Sequence, residues 1–395
     1  MKTLNELIKE HGKPDAIIDH WDKSSNRYAI WGFEDIYSIN HYDESINPFQ
    51  EWQEKINLWK METKENGISA IGFFSYDFKK FIFPHHQYKS CLDSTPLVWF
   101  GKPKKLFNFK LEKTKNNNVH KCLELIKDIP DLDHYISCIS YIKNQLRYGN
   151  IYQINFTNPK KFKIRNDNNL DLYMMIRNIA KPPFGFYINI GSHEILSLSP
   201  ERFFKKTNNI ISTHPIKGTR PRSNNYTIDN NLKKSLEKSI KDKAEHLMIV
   251  DLMRNDLGKI CKYGSIKTHN LYKIKSFETV HHMITDIYGT LKEQIDESKI
   301  IKSLFPGGSI TGAPKENAMK IIDKIENYNR GVYTGSMGYI NKIGDMDFNI
   351  AIRTLEIKDE NVSYPVGGGI VWDSTPKQEW DEANQKAKIL DKLIK

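Results

Sequence analysis

Val332–Val371 reads VYTGSMGYI NKIGDM DFNIAIRTLEI KDEN VSYPVGGGIV. Three apolar runs, at 332–340, 347–357 and 362–371, are separated only by short polar segments with turn residues. Parallel strands need a long crossover between them, most often a helix. No helical period intervenes here, so the three runs predict strands in antiparallel order and argue against a doubly wound parallel sheet. The predicted class is α+β: a layered fold with largely antiparallel β-sheets packed in a sandwich-like core and flanked by helices.

Working outward, a terminal helix is predicted from about 376, with Trp380, Ala383, Ala387 and Leu390 on its apolar side. Upstream, Pro314 suits the first turn of a helix whose stripe is Ala318, Ile321, Ile322 and Ile325. A long helix is predicted over 230–254, with Leu236, Ile240, Leu247 and Met248 as its stripe and Asn255–Gly258 as its stop. Strands are predicted at 150–157, 184–190, 194–198 and 210–214. A helix over 132–148 follows from Tyr135, Ile139, Ile142 and Leu146, with Gly149 placed to end it. Apolar runs such as Ala70–Tyr76 and Leu97–Phe100 read as strands, and the polar run Lys113–Asn118 as a loop. These divide the chain into a β-rich N-terminal region, 1–115, and a larger catalytic region, 120–395, that form one compact unit.

The 395 residues are 39% apolar and 27% charged, an ordinary globular balance. The net charge of +11 comes from scattered lysines, with no long basic block or arginine stripe, which argues against nucleic acid as a partner. No run of eighteen apolar residues and no signal-like N-terminus is present, so a cytoplasmic protein without a membrane span is expected. Cys91, Cys122, Cys138 and Cys261 are dispersed and read as reduced, mostly buried thiols.

Five segments carry unusual chemistry: Ser199–Phe203, Pro215–Arg222, Ala244–Asp256, Pro306–Lys315 and Ile352–Glu382. The glycine-rich loop before Pro314 could cradle an anion or simply make a tight turn. It is not a nucleotide P-loop, because Ala313 stands where that motif requires lysine. Gly367–Gly369 marks either close approach of a ligand or a bulge. Glu245 and Glu382 lie on two predicted helices, each with a second acid three residues earlier, Asp242 and Glu379. Solvated helix faces would look the same, but two such faces meeting would make an all-oxygen site suited to Mg²⁺. Lys217, between Ile216 and Gly218, is either a surface lysine or one desolvated enough to become nucleophilic.

Taken in chain order, these segments resemble the chorismate-utilising enzymes, a family that includes anthranilate, aminodeoxychorismate, isochorismate and salicylate synthases. The resemblance runs from about residue 130 to 392. Two positions choose within it. Anthranilate synthases resemble this chain but carry alanine where Lys217 stands in Pro215–Thr219; lysine is the aminodeoxychorismate synthase form. Isochorismate and salicylate synthases carry a water-activating lysine where this chain has Gln153, and a neutral amide cannot act as that base. The region before 130 also lacks the Leu-Leu-Glu-Ser segment of the anthranilate synthase tryptophan pocket. One departure is Asn158-Pro159, where relatives often have Gln-Arg.

The resemblance implies amination of chorismate at carbon 4, giving 4-amino-4-deoxychorismate for 4-aminobenzoate and folate synthesis. It implies Lys217 as covalent nucleophile and Glu201 as general acid. It implies Mg²⁺ on Glu245 and Glu382, with Asp242 and Glu379 behind them. Tyr333 and Arg353 match positions that hold the side-chain carboxylate, and Gly218, Gly367 and Gly369 match backbone contacts to carboxylates. Thr219, Ser309 and His282 match positions close to substrate, while His281 reads as structural. No cysteine sits in a nucleophile elbow, so ammonia is expected from a separate glutaminase subunit or from free ammonium. The alternatives are anthranilate synthase component I, which Lys217 opposes, and a non-catalytic chorismate-binding protein, which the full set Glu201, Lys217, Glu245 and Glu382 opposes.

Overall fold

The computed structural model describes residues 1–20, 27–65, 67–88, 95–110, 121–165, 169–277 and 280–394. The predicted loop Lys113–Asn118 and Cys91 lie outside the described residues. Among the described residues, eighteen strands form one sheet. One end is Lys267–Ser276, paired with Val280–Thr290. That strand pairs in turn with Ile216–Pro221 and Ile210–Thr213, and the ladder continues through Arg202–Thr207, Met346–Asn349, Ser336–Asn341 and Ile68–Phe74. It passes on through Val98–Asn108, Tyr28–Ile39, Ala16–Asp19, Phe184–Asn189, Glu194–Ser199 and Thr354–Lys358. The far end is Asn361–Ile370 beside Gln153–Ile164, with Leu123–Lys127 and the short Gly312–Ala313 against the latter. Every one of these pairings is antiparallel, as the C-terminal strands predict.

Among the described residues, three cores hold the layers together. One contains strand and loop side chains only, among them Ile18, Ile30, Phe73, Trp99, Ile188 and Met337. Here sheet packs on sheet, the sandwich-like core. A second packs helices Pro48–Glu62, Ile240–Ile260, Glu297–Leu304 and Lys315–Ile325 against the sheet, through residues such as Trp52, Trp59, Ile249, Ile301 and Ile322. The third packs helices Leu4–His11, Asn169–Ala180 and Pro376–Ala387 through Leu7, Ile176 and Ala383. Truncating a fully buried isoleucine in such a core costs about 2–5 kcal/mol. No helix among the described residues is long and apolar enough to cross a membrane. Cys122, Cys138 and Cys261 are free thiols, and Cys138 is only half-buried.

The structure corrects several local expectations. The predicted 230–254 helix is two helices, Tyr226–Lys238 and Ile240–Ile260. Ser239 separates them: its backbone is extended and its hydroxyl accepts the Asp242 N–H at 3.2 Å, a strong N-cap. The break turns Ile240 outward, 85% exposed, and Leu247 lies at the surface too. The buried stripe is His246, Ile249, Val250, Met253, Leu257 and Ile260. The helix runs through Asn255–Gly258, because Leu257 is buried and Asp256 is held by Lys259 and Lys315. Pro314 caps its helix from outside rather than opening the first turn.

The expected strand 347–357 is also two, Met346–Asn349 and Thr354–Lys358. The chain crosses between distant parts of the ladder at 350–353, and Arg353 takes a left-handed φ of 51° there. The N-terminal region is not only strands. Thr3 and Glu6 form a capping box for one helix, and Asn47 with Pro48 starts another. Pro159, the unexplained departure, lies opposite Pro365 in the ladder. Two prolines can face each other where an antiparallel pair exchanges no hydrogen bonds, so neither missing N–H breaks the ladder.

Candidate functional site

Asn361–Ile370 pairs with Gln153–Ile164 over ten residues without a register shift, so Gly367–Gly369 is not a bulge. The glycines instead leave room. A Cβ on Gly369 would lie 3.0 Å from Gln153 Nε2 and 3.3 Å from Lys217 Nζ. One on Gly368 would lie 3.4 Å from Glu379 Oε2 and 3.7 Å from Glu382 Oε1. This one strand therefore faces both the candidate nucleophile and the candidate metal carboxylates.

Lys217 comes from near the opposite end of the ladder, on Ile216–Pro221. The true bulge lies here: register with Val280–Thr290 shifts between Lys217 and Thr219, and Gly218 has φ 70°. A Cβ on Gly218 would meet Leu236 Cδ1 at 2.7 Å and Asp242 Oδ1 at 3.0 Å. Gly218→Ala should therefore cost about 1–3 kcal/mol of stability and displace the Lys217 strand, read as a lowered Tm together with lost turnover. An unchanged Tm would show that the bulge is not strained by a side chain. Burial holds the Lys217 ammonium below the ordinary lysine pKa, opposed by Glu201 and Glu245.

Glu201 follows strand Glu194–Ser199, where its N–H donates to Ser199 Oγ at 3.1 Å. Burial raises its carboxyl to about 7, opposed by nearby Ser309 and Lys217. Ser309 sits in the single 3₁₀ turn Gly308–Ile310 of the glycine-rich loop, pinned by Thr311 Oγ1 donating to Gly307 O at 2.9 Å. Both amide atoms of Gln153 are buried without a hydrogen-bond partner among the described residues, and Glu201 Oε1 and Ser309 Oγ, set beside each other, have no further one. Native proteins rarely leave so many polar atoms unpaired in one place, and such groups are suited to a polar ligand.

Glu245 and Glu382 stand on Ile240–Ile260 and Pro376–Ala387 as expected, with Glu379 one turn before Glu382. Burial raises Glu245, and Asp242 and Glu379 add to the effect as like charges. Glu379 is raised by burial and by Glu382. The carboxylates thus gather closely enough to repel. No group of three or more His, Cys, Asp or Glu side chains among the described residues makes a ready metal cage. Asp242 is engaged elsewhere, by Arg220 at 2.9 Å. Glu382 is lowered chiefly by Lys386, whose ammonium lies 2.8 Å from Oε1 and 2.7 Å from the Gly367 carbonyl.

Arg353 faces Tyr364 and His282. Its charge lowers the pKa of both, although burial leaves the Tyr364 phenol raised to about 12 and pushes His282 down to about 4. Tyr364 OH has no partner among the described residues. Tyr333 is buried beside this group, and its phenol is raised by burial. His282 Nδ1 lies 3.0 Å from Thr219 Oγ1. His281 is held between Asp229 at 3.0 Å and Ser276 at 2.8 Å, which fits a structural role. Sequence reasoning missed Lys386 and Tyr364. Lys386 follows Glu382 by four residues, a pairing that also occurs on any solvated helix.

The model of the chorismate binding enzyme family matches residues 16–392. Anthranilate synthase component 1 of Saccharolobus solfataricus is 31% identical over 381 residues, 93% of this chain and 90% of that protein. Aminodeoxychorismate synthase component 1 of Escherichia coli is 40% identical over 255 residues, 64% of this chain and 56% of that protein. The chain therefore spans about half the length of the latter, and 27% of the chloroplastic aminodeoxychorismate synthase of Arabidopsis thaliana, to which it is 41% identical. The crystal structure of anthranilate synthase component I from Streptococcus pneumoniae superposes with a TM-score of 0.80, covering 93% of this chain and 92% of that one at 23% identity. That of a 2,3-dihydroxybenzoate-specific isochorismate synthase from Bacillus anthracis gives 0.79, covering 99% of both at 20% identity. The long family match, over the same strands and helices that assemble this cleft, places the chain among the chorismate-binding enzymes.

Proposed function

We propose that this chain aminates chorismate at ring carbon 4, forming 4-amino-4-deoxychorismate through a covalent bond to Lys217. The observation that carries the reading is a desolvated lysine amine beside the glycine strand, in a cleft where Gln153, Glu201 and Ser309 present unpaired polar atoms. An amine needs its lone pair to attack, and burial favours the uncharged form.

In this mechanism Arg353 and Tyr333 hold the side-chain carboxylate, Arg353 with a bidentate grip. Backbone N–H groups of Gly218, Gly367 and Gly369 orient carboxylates. Lys217 adds to carbon 2 while both conjugated ring double bonds shift and the 4-hydroxyl leaves. Glu201 supplies the proton that makes that hydroxyl water. Ammonia then adds at carbon 4, both double bonds shift back, and Lys217 departs as the amine. Gln153, a neutral amide, cannot generate hydroxide for attack at carbon 2. Thr219 holds His282 against the ring, and burial keeps that imidazole uncharged.

The gathered carboxylates fit a hard divalent ion that takes its remaining ligands from substrate and water. Glu245 and Glu382 would hold Mg²⁺, with Asp242 and Glu379 behind them, and the ion would supply Lewis-acid polarisation of the ring carboxylate. Glu382→Gln should raise the Mg²⁺ concentration for half-maximal binding, followed by calorimetry without turnover, at least about tenfold. Unchanged Mg²⁺ affinity in that variant would remove Glu382 from the site. Ammonia would come from a separate glutaminase subunit or from free ammonium.

The long match to a protein named anthranilate synthase component 1 favours a second reading, amination at carbon 2 with loss of pyruvate. A lactate dehydrogenase assay for pyruvate separates the two. With chorismate, Mg²⁺ and ammonium, the first reading expects chorismate to disappear without pyruvate until aminodeoxychorismate lyase is added. Pyruvate released by the chain alone would establish the second.

A further inference from the structure

Arg330 and Glu326 form an ion pair whose side chains are each 1% exposed, with Nε to Oε2 at 2.8 Å and Nη2 to Oε1 at 2.7 Å. Neither touches the candidate nucleophile, acid or metal carboxylates, yet their remaining bonds reach three segments that carry site residues. Arg330 Nη2 donates to Asn155 O at 2.7 Å, two residues from Gln153. Arg330 Nη1 donates to Ile310 O at 2.9 Å, next to Ser309. The same nitrogen reaches Thr334 Oγ1 at 3.3 Å, and that hydroxyl donates to the Tyr333 carbonyl at 2.6 Å. Glu326 Oε1 accepts from the Thr157 N–H at 2.9 Å and the Thr157 hydroxyl at 2.8 Å. The guanidinium lies over the Tyr76 ring, 4.6 Å from its centre.

A buried ion pair is a poor device for stability alone, because desolvating both charges offsets much of their attraction. What this one supplies is direction: a rigid planar fork aimed at carbonyls of separate segments. We propose that Arg330 and Glu326 are a positioning pair that holds the Gln153 strand, the Ser309 loop and Tyr333 in mutual register around the chorismate ring. The proposal rests on the chorismate reading of the site. Substrate binding draws chiefly on Arg353, the glycine amides and the metal carboxylates, which the pair does not touch, with Tyr333 the one carboxylate contact that it reaches. Its loss therefore shifts Gln153 and Ser309, the latter beside Glu201, more than it weakens binding.

The test uses Arg330→Lys and Glu326→Gln in the full chain. Both should lower kcat on the order of 10²-fold, the cost of misplacing reacting groups by about 1 Å, with KM changed less than about threefold. Hydrogen exchange should quicken at the amides of 308–311 and 155–157 while the Ile240–Ile260 helix stays protected. Arg330→Lys combined with Ser309→Ala should lose less than the product of the single losses, because both act through Ser309. If either charge variant fails to fold, Thr334→Val, close in volume, cuts only the link to Tyr333 and should lower kcat about threefold. Folded variants with kcat within twofold of the parent and unaltered exchange at both segments would overturn the pair's role. So would fully multiplicative losses with Ser309→Ala. The product made by the parent chain decides the amination reading separately, since the variant-to-parent ratio and the exchange pattern are measured whichever product forms.

Discussion

Lys217→Ala should lower kcat with ammonium about a hundredfold or more, equivalent to at least about 2.7 kcal/mol of transition-state stabilisation. KM for chorismate should change little, because Lys217 holds no carboxylate in this account. Lys217→Arg supplies the control. If the side chain served only as a positive charge for an anionic substrate, arginine would restore much of the rate. A guanidinium stays protonated and is not a nucleophile, so the covalent account expects Lys217→Arg to be as slow as Lys217→Ala. Recovery above about a tenth of the parent rate in the arginine variant would contradict it.

Glu201→Gln should lower kcat on the order of 10²–10⁴-fold, since the amide keeps the shape but has no proton to give the leaving hydroxyl. The pH dependence follows from the shifts. Burial raises Glu201 to about 7, so its acid form is available below that pH and is lost as pH rises through it. Lys217 must be uncharged, and burial lowers its pKa from the ordinary lysine value, so its contribution is lost as pH falls. The parent should show a bell in kcat/KM, measured with free ammonia held constant, because one group must keep its proton while the other must lose it. The two limbs belong to the pair, because each group shifts the other. The residual activity of Glu201→Gln should lack the alkaline limb. A limb that persists would assign it to another group.

Both expectations depend on features that were unequally legible in the sequence. The tight strand succession after Val332 decides the antiparallel class, because no crossover fits between those runs. The break within 347–357 was not legible: Asn349 and Thr354 serve distant neighbours, Arg202 and Ser197, and only the ladder shows where the chain must cross. Ser239 was legible in principle as a cap, yet the apolar stripe running through Leu236 and Ile240 masked it. At the site, Lys217, Glu201, Glu245 and Glu382 were named from their motifs. Their mutual setting was not, since desolvation and like-charge crowding exist only once the glycine strand and two helices meet. Gly367–Gly369 allowed a bulge or a close approach, and an unbroken register decides for the approach. Arg330 and Glu326 had no signal in sequence beyond an i, i+4 spacing that solvated helices share.

The most direct measurement is to incubate the purified chain with chorismate and Mg²⁺ without ammonium, quench, digest and map modified peptides by mass spectrometry. The account predicts an adduct of chorismate less one water on Lys217, discharged when ammonium is added before quenching and absent from Lys217→Ala. An adduct on a different residue, or undiminished product formation by Lys217→Ala, would contradict it.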